Sequence, residues 1–139
     1  MSSYQIKNLE QYFKQYKKSV REPKMFWNKI ASENFTWYQM WDKVLDFDMH
    51  QARVEWFKGA KVNIVKNAVD RHLAKRGDKT AILFEPNNPD EPAEHISYKE
   101  LHQRVCKLAN VLEEQGIRKG DRVCIYLPMI PELAVAVLA

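Results

Sequence analysis

The sequence predicts a mixed α/β chain, helical at the front and alternating between strand and helix behind. Three observations predict it. Leu9, Tyr12, Phe13, Tyr16 and Val20 recur at helical spacing with lysines between them. Ser97 followed by Glu100 forms a capping box ahead of the apolar stripe Leu101, Val105, Leu108 and Leu112. Residues 123–127 are apolar at nearly every position, as a strand covered on both faces of a parallel sheet is. With 139 residues, 45% hydrophobic and 29% charged, the chain is long enough to bury a core and is neither disordered nor disulfide-stapled in composition.

Taken in order, the first amphipathic helix must end before Pro23, which suits the start of a second helix with Met25, Phe26 and Ile30 on its inner face. Phe35, Trp37, Tyr38 and Trp41 follow, leading into Val44, Leu45 and Phe47. Their spacing of three to five fits anchors beneath a helix better than a stacking platform for single-stranded nucleic acid. After Trp56-Phe57-Lys58-Gly59, Asn63 is a plausible N-cap for a helix turning Ile64, Val65, Ala68, Val69 and Leu73 inward. Lys75, Arg76 and Gly77 supply its basic last turn and its stop. A boundary at Gly77-Asp78 then divides the chain into residues 1–77 and 78–139.

A strand is expected over 80–84, then a polar loop over 85–95 punctuated by Pro86, Pro89 and Pro92. The capping-box helix stops at Gly116. Arg118 to Asp121 turns the chain into the strand over 123–127, and Pro131 opens a last helix. That helix runs apolar from Leu133 to Ala139 with no basic last turn and no glycine stop, so the sequence reads as truncated. Its exposed apolar end could also pair with a second copy.

The formal charge is +4, and the excess lies at the front, where Lys7, Lys14, Lys17, Lys18, Arg21, Lys24 and Lys29 face only Glu10 and Glu22. A solvated basic helix face is expected there, in preference to a surface for nucleic acid or membrane. The start carries no apolar signal region, and no window reaches the length of a membrane span. Cys106 and Cys124 each sit in an apolar stretch, so both are expected as buried, reduced thiols in a cytoplasmic protein.

The search for chemistry yields no catalytic, cofactor-binding or metal-binding residue. Gly59, Gly77, Gly116 and Gly120 form no phosphate loop. His50, His72, His95 and His102 are too scattered for a linked metal set, and neither cysteine belongs to a C-x-x-C pair. Asp70-Arg71-His72 invites an acid–base reading, but neighbours on a helix diverge by about 100 degrees, so helix-surface pairing or docking to another segment is preferred. Ser97 is committed to its cap, and Ser2, Ser3, Ser19 and Ser32 have no positioned base nearby.

Beside this reading stands a resemblance. Residues 56–63, Trp-Phe-Lys-Gly-Ala-Lys-Val-Asn, and 67–73, Asn-Ala-Val-Asp-Arg-His-Leu, resemble the segment joining the N-terminal extension of AMP-forming acetyl-CoA synthetases to their adenylating domain. Residues 77–82, 96–101 and 120–132 resemble the opening of the AMP-binding fold in the same order and spacing. The likeness is close from Val54 onward and looser before it, where Met25-Phe26-Trp27 resembles an early aromatic helix of that family. Ala60, Val62 and Cys124 depart from its usual glycine, leucine and alanine.

The resemblance implies a helical N-terminal extension over 1–77 and the first strands and helices of a truncated adenylate-forming domain over 78–139. It implies a parent ligase that uses ATP, Mg and CoA to convert acetate to acetyl-CoA through acetyl-AMP. Propionyl-CoA synthetases share much of the pattern. The phosphate loop, acyl pocket and catalytic lysine of that family have no counterpart in these residues, so this chain alone is expected to be structural and inactive, binding no cofactor itself. Its expected partner is the remainder of the synthetase. A non-catalytic interaction or oligomerisation module is the alternative.

Overall fold

A computed structural model describes residues 5–139, and Ser2 and Ser3 therefore lie outside the described residues. The chain divides into two compact units, Met1–Asn63 and Ile64–Ala139. Its α/β content takes the form of helices with three two-stranded antiparallel sheets.

In the first unit, α1 (Leu9–Arg21) begins where the Asn8 side chain accepts a hydrogen bond from the Gln11 N–H at 2.9 Å. The helix has the expected extent, yet none of its residues is buried; Leu9 is 73% and Val20 62% exposed. Pro23 opens α2 (Pro23–Asn34), which buries Ala31, and half-buries Phe26 and Ile30. Met25, expected on the inner face, is exposed, because the buried side of this helix is centred on Ala31.

The aromatic stretch anchors against α2 through Trp37 and Trp41, but part of it is strand. Trp37 lies in β1 (Trp37–Gln39), which pairs with β4 (Lys61–Val62), and Phe57 lies in β3 (Arg53–Lys58), which pairs with β2 (Lys43–Asp48). Cross-strand pairs such as Leu45–Trp56 and Phe47–Val54 set the register of that hairpin. Its turn is held by Asp48, whose carboxylate accepts from the His50 and Gln51 N–H groups at 3.0 and 3.2 Å.

In the second unit the long helix expected after Asn63 is broken into α3 (Ile64–Ala68), a 3-10 turn at Asp70–His72 and α4 (Leu73–Arg76). The break occurs at Val69, whose φ of −120° and ψ of −67° leave the α-helical region. Val69 is thereby buried, whereas Ile64, expected inward, is 58% exposed. Gly77 stops α4 in right-handed conformation, without the left-handed twist of a glycine cap.

β5 (Thr80–Phe84) pairs antiparallel with β6 (Glu94–Ser97), so the expected loop is shorter at its far end, and Glu94 and His95 belong to a strand. β6 runs directly into α5 (Tyr98–Glu114) through the capping box. Gly116, with φ +87°, follows the end of α5 as expected. Pro131 starts α6 (Pro131–Leu138). One core holds this unit: Val69, Ile96, Leu101, Val105 and Val135, flanked by Val65, Ile82 and Leu108. Ile96 is completely enclosed.

Residues 123–127 form no strand. Val123 is 52% and Tyr126 99% exposed. A segment this apolar is stable as a strand only with ladder partners and a cover on each face, and none of the described residues pairs with it.

Candidate functional site

Two side-chain clusters carry most of the polar chemistry, one in each unit. In the first, Asp46 sits nearly buried on β2 within reach of three cations. Lys43 is 2.7 Å away, Lys58 3.2 Å and Arg53 3.7 Å. The antiparallel register places Lys58 and Arg53 on the strand beside it. Hydrogen bonds from Lys43 and then Lys58 hold the Asp46 carboxyl down, from an ordinary 3.8 to about 2. Lys58 is raised in turn by Asp46 and Glu55.

Next to it lies an aromatic cluster. Trp41 and Phe57 rings stand 4.7 Å apart, Trp37 and Trp41 5.0 Å, and Trp37 and Phe57 5.7 Å. Both indole N–H groups are satisfied within the unit, Trp37 donating to the Ala31 carbonyl at 2.9 Å and Trp41 to the Asn28 side chain at 3.0 Å. A ring whose polar edge is already engaged and whose face meets another ring is packed as core. The cluster ties the strands of this unit to α2.

In the second unit, Asp70 does not face its neighbour His72. The 3-10 turn directs its carboxylate to His102 on α5, with Oδ1 3.8 Å from Nε2. One turn along the same helix, Cys106 Sγ lies 3.5 Å from that nitrogen. His72 instead packs its ring 5.7 Å from Tyr98, and Arg71 donates to the Asn67 side chain at 3.1 Å. His102 also borders an open depression of about 480 Å³ lined by Leu73, Gly77, Asp78, Lys99 and Gln103.

Cys106 and Cys124 are both exposed, contrary to the expectation of buried thiols. Cys106 follows Val105 in the helix and so points away from the stripe that enters the core, and Cys124 belongs to the unpaired segment 123–127. Among the described residues no three His, Cys, Asp or Glu gather as metal ligands, and no helix is long and apolar enough to cross a membrane. The positive-φ glycines, Gly59, Gly116 and Gly120, do not form a run of N–H groups aimed at one point. This donor set does not fit Mg-ATP.

Comparison with known proteins is consistent along the whole chain. A family model described as the acetyl-coenzyme A synthetase N-terminus matches residues 12–68, and one described as AMP-binding enzyme matches residues 69–139. The acetyl-coenzyme A synthetase of Magnetococcus marinus is 52% identical over 132 residues, which is 95% of this chain and 20% of that protein. The acetyl-coenzyme A synthetase of Alkalilimnicola ehrlichii is 49% identical over 128 residues, again 20% of its length. The solved acetoacetyl-CoA synthetase of Streptomyces lividans superposes with a TM-score of 0.78 at 31% identity, over 88% of this chain and 18% of that one. The chain thus spans about a fifth of the length of the curated relatives it matches. Because the second model covers more than half of its residues, the chain belongs to the AMP-binding enzyme family, with an acetyl-coenzyme A synthetase N-terminus in front.

Proposed function

We propose that these residues are the front part of an AMP-forming acetate–CoA ligase. The observation that carries the reading is the ordered pair of family matches, continuous from residue 12 to residue 139, with acetyl-coenzyme A synthetases near 50% identity along the same span. In the proposed reaction acetate attacks the α-phosphate of ATP, giving acetyl-AMP and pyrophosphate, and the CoA thiol then takes the acetyl group. Acetate is a weak nucleophile, so the step needs groups that offset charge developing on the phosphate. The described residues gather no metal ligands and no run of backbone N–H groups for this purpose.

Within this proposal residues 1–77 are the extension and 78–139 the beginning of the adenylating part. Residues 64–76 fall in the extension on this boundary but pack in the second unit, where Val69 joins the core of Ile96, Leu101 and Val105, and residues 69–76 already lie within the AMP-binding match. The role of these residues is to brace the rest of the synthetase, which is their principal partner, in the cytoplasm.

The test uses the full-length protein. Acetate-dependent exchange of pyrophosphate into ATP, followed by acetyl-CoA formation, is expected. The kcat/KM should be roughly tenfold or more higher for acetate than for propionate, the scale of discrimination one methylene permits. Absence of acetate-dependent exchange sinks the reading, and a higher kcat/KM for propionate or acetoacetate replaces the substrate.

A further inference from the structure

The cluster of Asp70, His102 and Cys106 plays no part in the proposed ligation. Three features of it belong together. The thiol is exposed, so an external reagent can reach it. The imidazole that touches it at 3.5 Å sits one helical turn away, held by the rigid backbone of α5. The carboxylate at 3.8 Å approaches the same Nε2 from the 3-10 turn. An imidazole in hydrogen-bond reach of a thiol can take its proton as the sulfur attacks, and a nearby carboxylate stabilises the imidazolium that forms. After the transfer the proton resides on Nε2, and Asp70, 3.8 Å away, acts on the imidazolium by charge and not through a hydrogen bond.

The geometry points to Cys106 as a thiolation site for low-molecular-mass disulfides. The Cys106 Sγ forms a bond to one sulfur of the disulfide, the original S–S bond breaks, and the second sulfur leaves as thiolate. His102 Nε2 retains the thiol proton as an imidazolium beside Asp70. The product is a mixed disulfide on the outer face of α5, and the incoming disulfide is the oxidant. His102 is the base and Asp70 a positioning residue. Cys124, exposed as well, has no hydrogen-bonding imidazole among the described residues and serves as the internal comparison.

The 139-residue chain, in which both thiols are exposed, is treated with glutathione disulfide, and the mixed disulfide at each cysteine is followed by peptide mass spectrometry. His102→Gln should slow adduct formation at Cys106 about fivefold while leaving the Cys124 rate unchanged. That is well short of the hundredfold or more of an enclosed catalytic base, because this site is open to solvent. Asp70→Asn, made away from α5, should give a smaller slowing of the same reaction, again confined to Cys106. An unchanged Cys106 rate in His102→Gln, the absence of any Cys106 adduct, or an equal slowing at both cysteines overturns the assignment.

Discussion

At the scale of single residues, Asp46 has the most consequential surroundings in the first unit. Three cations around one nearly buried carboxylate favour its charged form, and the hydrogen bonds from Lys43 and Lys58 dominate. The folded-state value of about 2 lies below the ordinary 3.8. The contribution to stability is therefore fully present above pH 3.8, and is lost as pH falls towards 2. Asp46→Asn should unfold at a lower temperature than the parent at neutral pH, and the gap should close as the solution is acidified through that window, as read by thermal denaturation. A gap independent of pH would mean that the carboxylate's charge is not what holds the hairpin. A few residues away, Gly59 has φ +80°, and a Cβ there would meet the Asp42 carboxylate at 2.5 Å. The turn out of β3 therefore calls for glycine by its conformation, since the exposed Asp42 carboxylate can swing aside.

At the scale of elements, the join between β6 and α5 is a local device with a global role. Ser97 accepts from the Glu100 N–H at 3.2 Å, and Glu100 accepts from the Ser97 N–H at 2.8 Å, an arrangement that lowers the Glu100 pKa. The same few residues fix Tyr98 and Lys99 to the carbonyls of Lys79 and Gly77 at 3.0 and 2.9 Å. The cap thus starts the helix where its first turn also closes onto the chain before β5. Ser97→Ala should cost about 1 kcal/mol of stability, the usual worth of such a cap. Urea denaturation followed by circular dichroism measures it, and a loss below roughly 0.3 kcal/mol would show that packing of Leu101 and Val105 sets the helix start unaided.

Other elements show how far local patterning reaches. The end of α1 before Pro23, the proline that opens α2, the capping box and Pro131 were legible in the sequence, because each depends on residues within one or two turns. The β2–β3 hairpin was not. Its cue, the alternation of Val44, Leu45, Phe47 with Val54, Trp56, lies among aromatics whose spacing also fits a helix. The break at Val69 was equally hidden, since residues 64–76 satisfy a helical pattern, an inward Val69 included, and nothing in it marks where the backbone leaves the helix. No local signal marked the approach of Asp70 to His102, which are far apart in sequence and brought together by the fold.

For the whole molecule, two family matches meet along one chain. The chain carries matches to both families from residue 12 onward, while its described residues assemble no metal ligands and no phosphate cradle. We expect the 139-residue chain by itself to give no acetate-dependent ATP–pyrophosphate exchange above the level without acetate. Exchange above that level would mean that residues within this span adenylate the substrate.

The sequence by itself determined where α2, α5 and α6 begin, where α5 stops, and the family, because these reside in short-range patterns and ordered motifs. Tertiary structure decided the strand pairing and much of the burial. It left the apolar side of α1 and residues 123–127 exposed, turned both thiols outward, and gathered Trp37, Trp41 and Phe57 into one cluster. The physical reason is that a cap or a turn is satisfied by its immediate neighbours, whereas burial and side-chain pairing depend on which distant segments come to lie alongside.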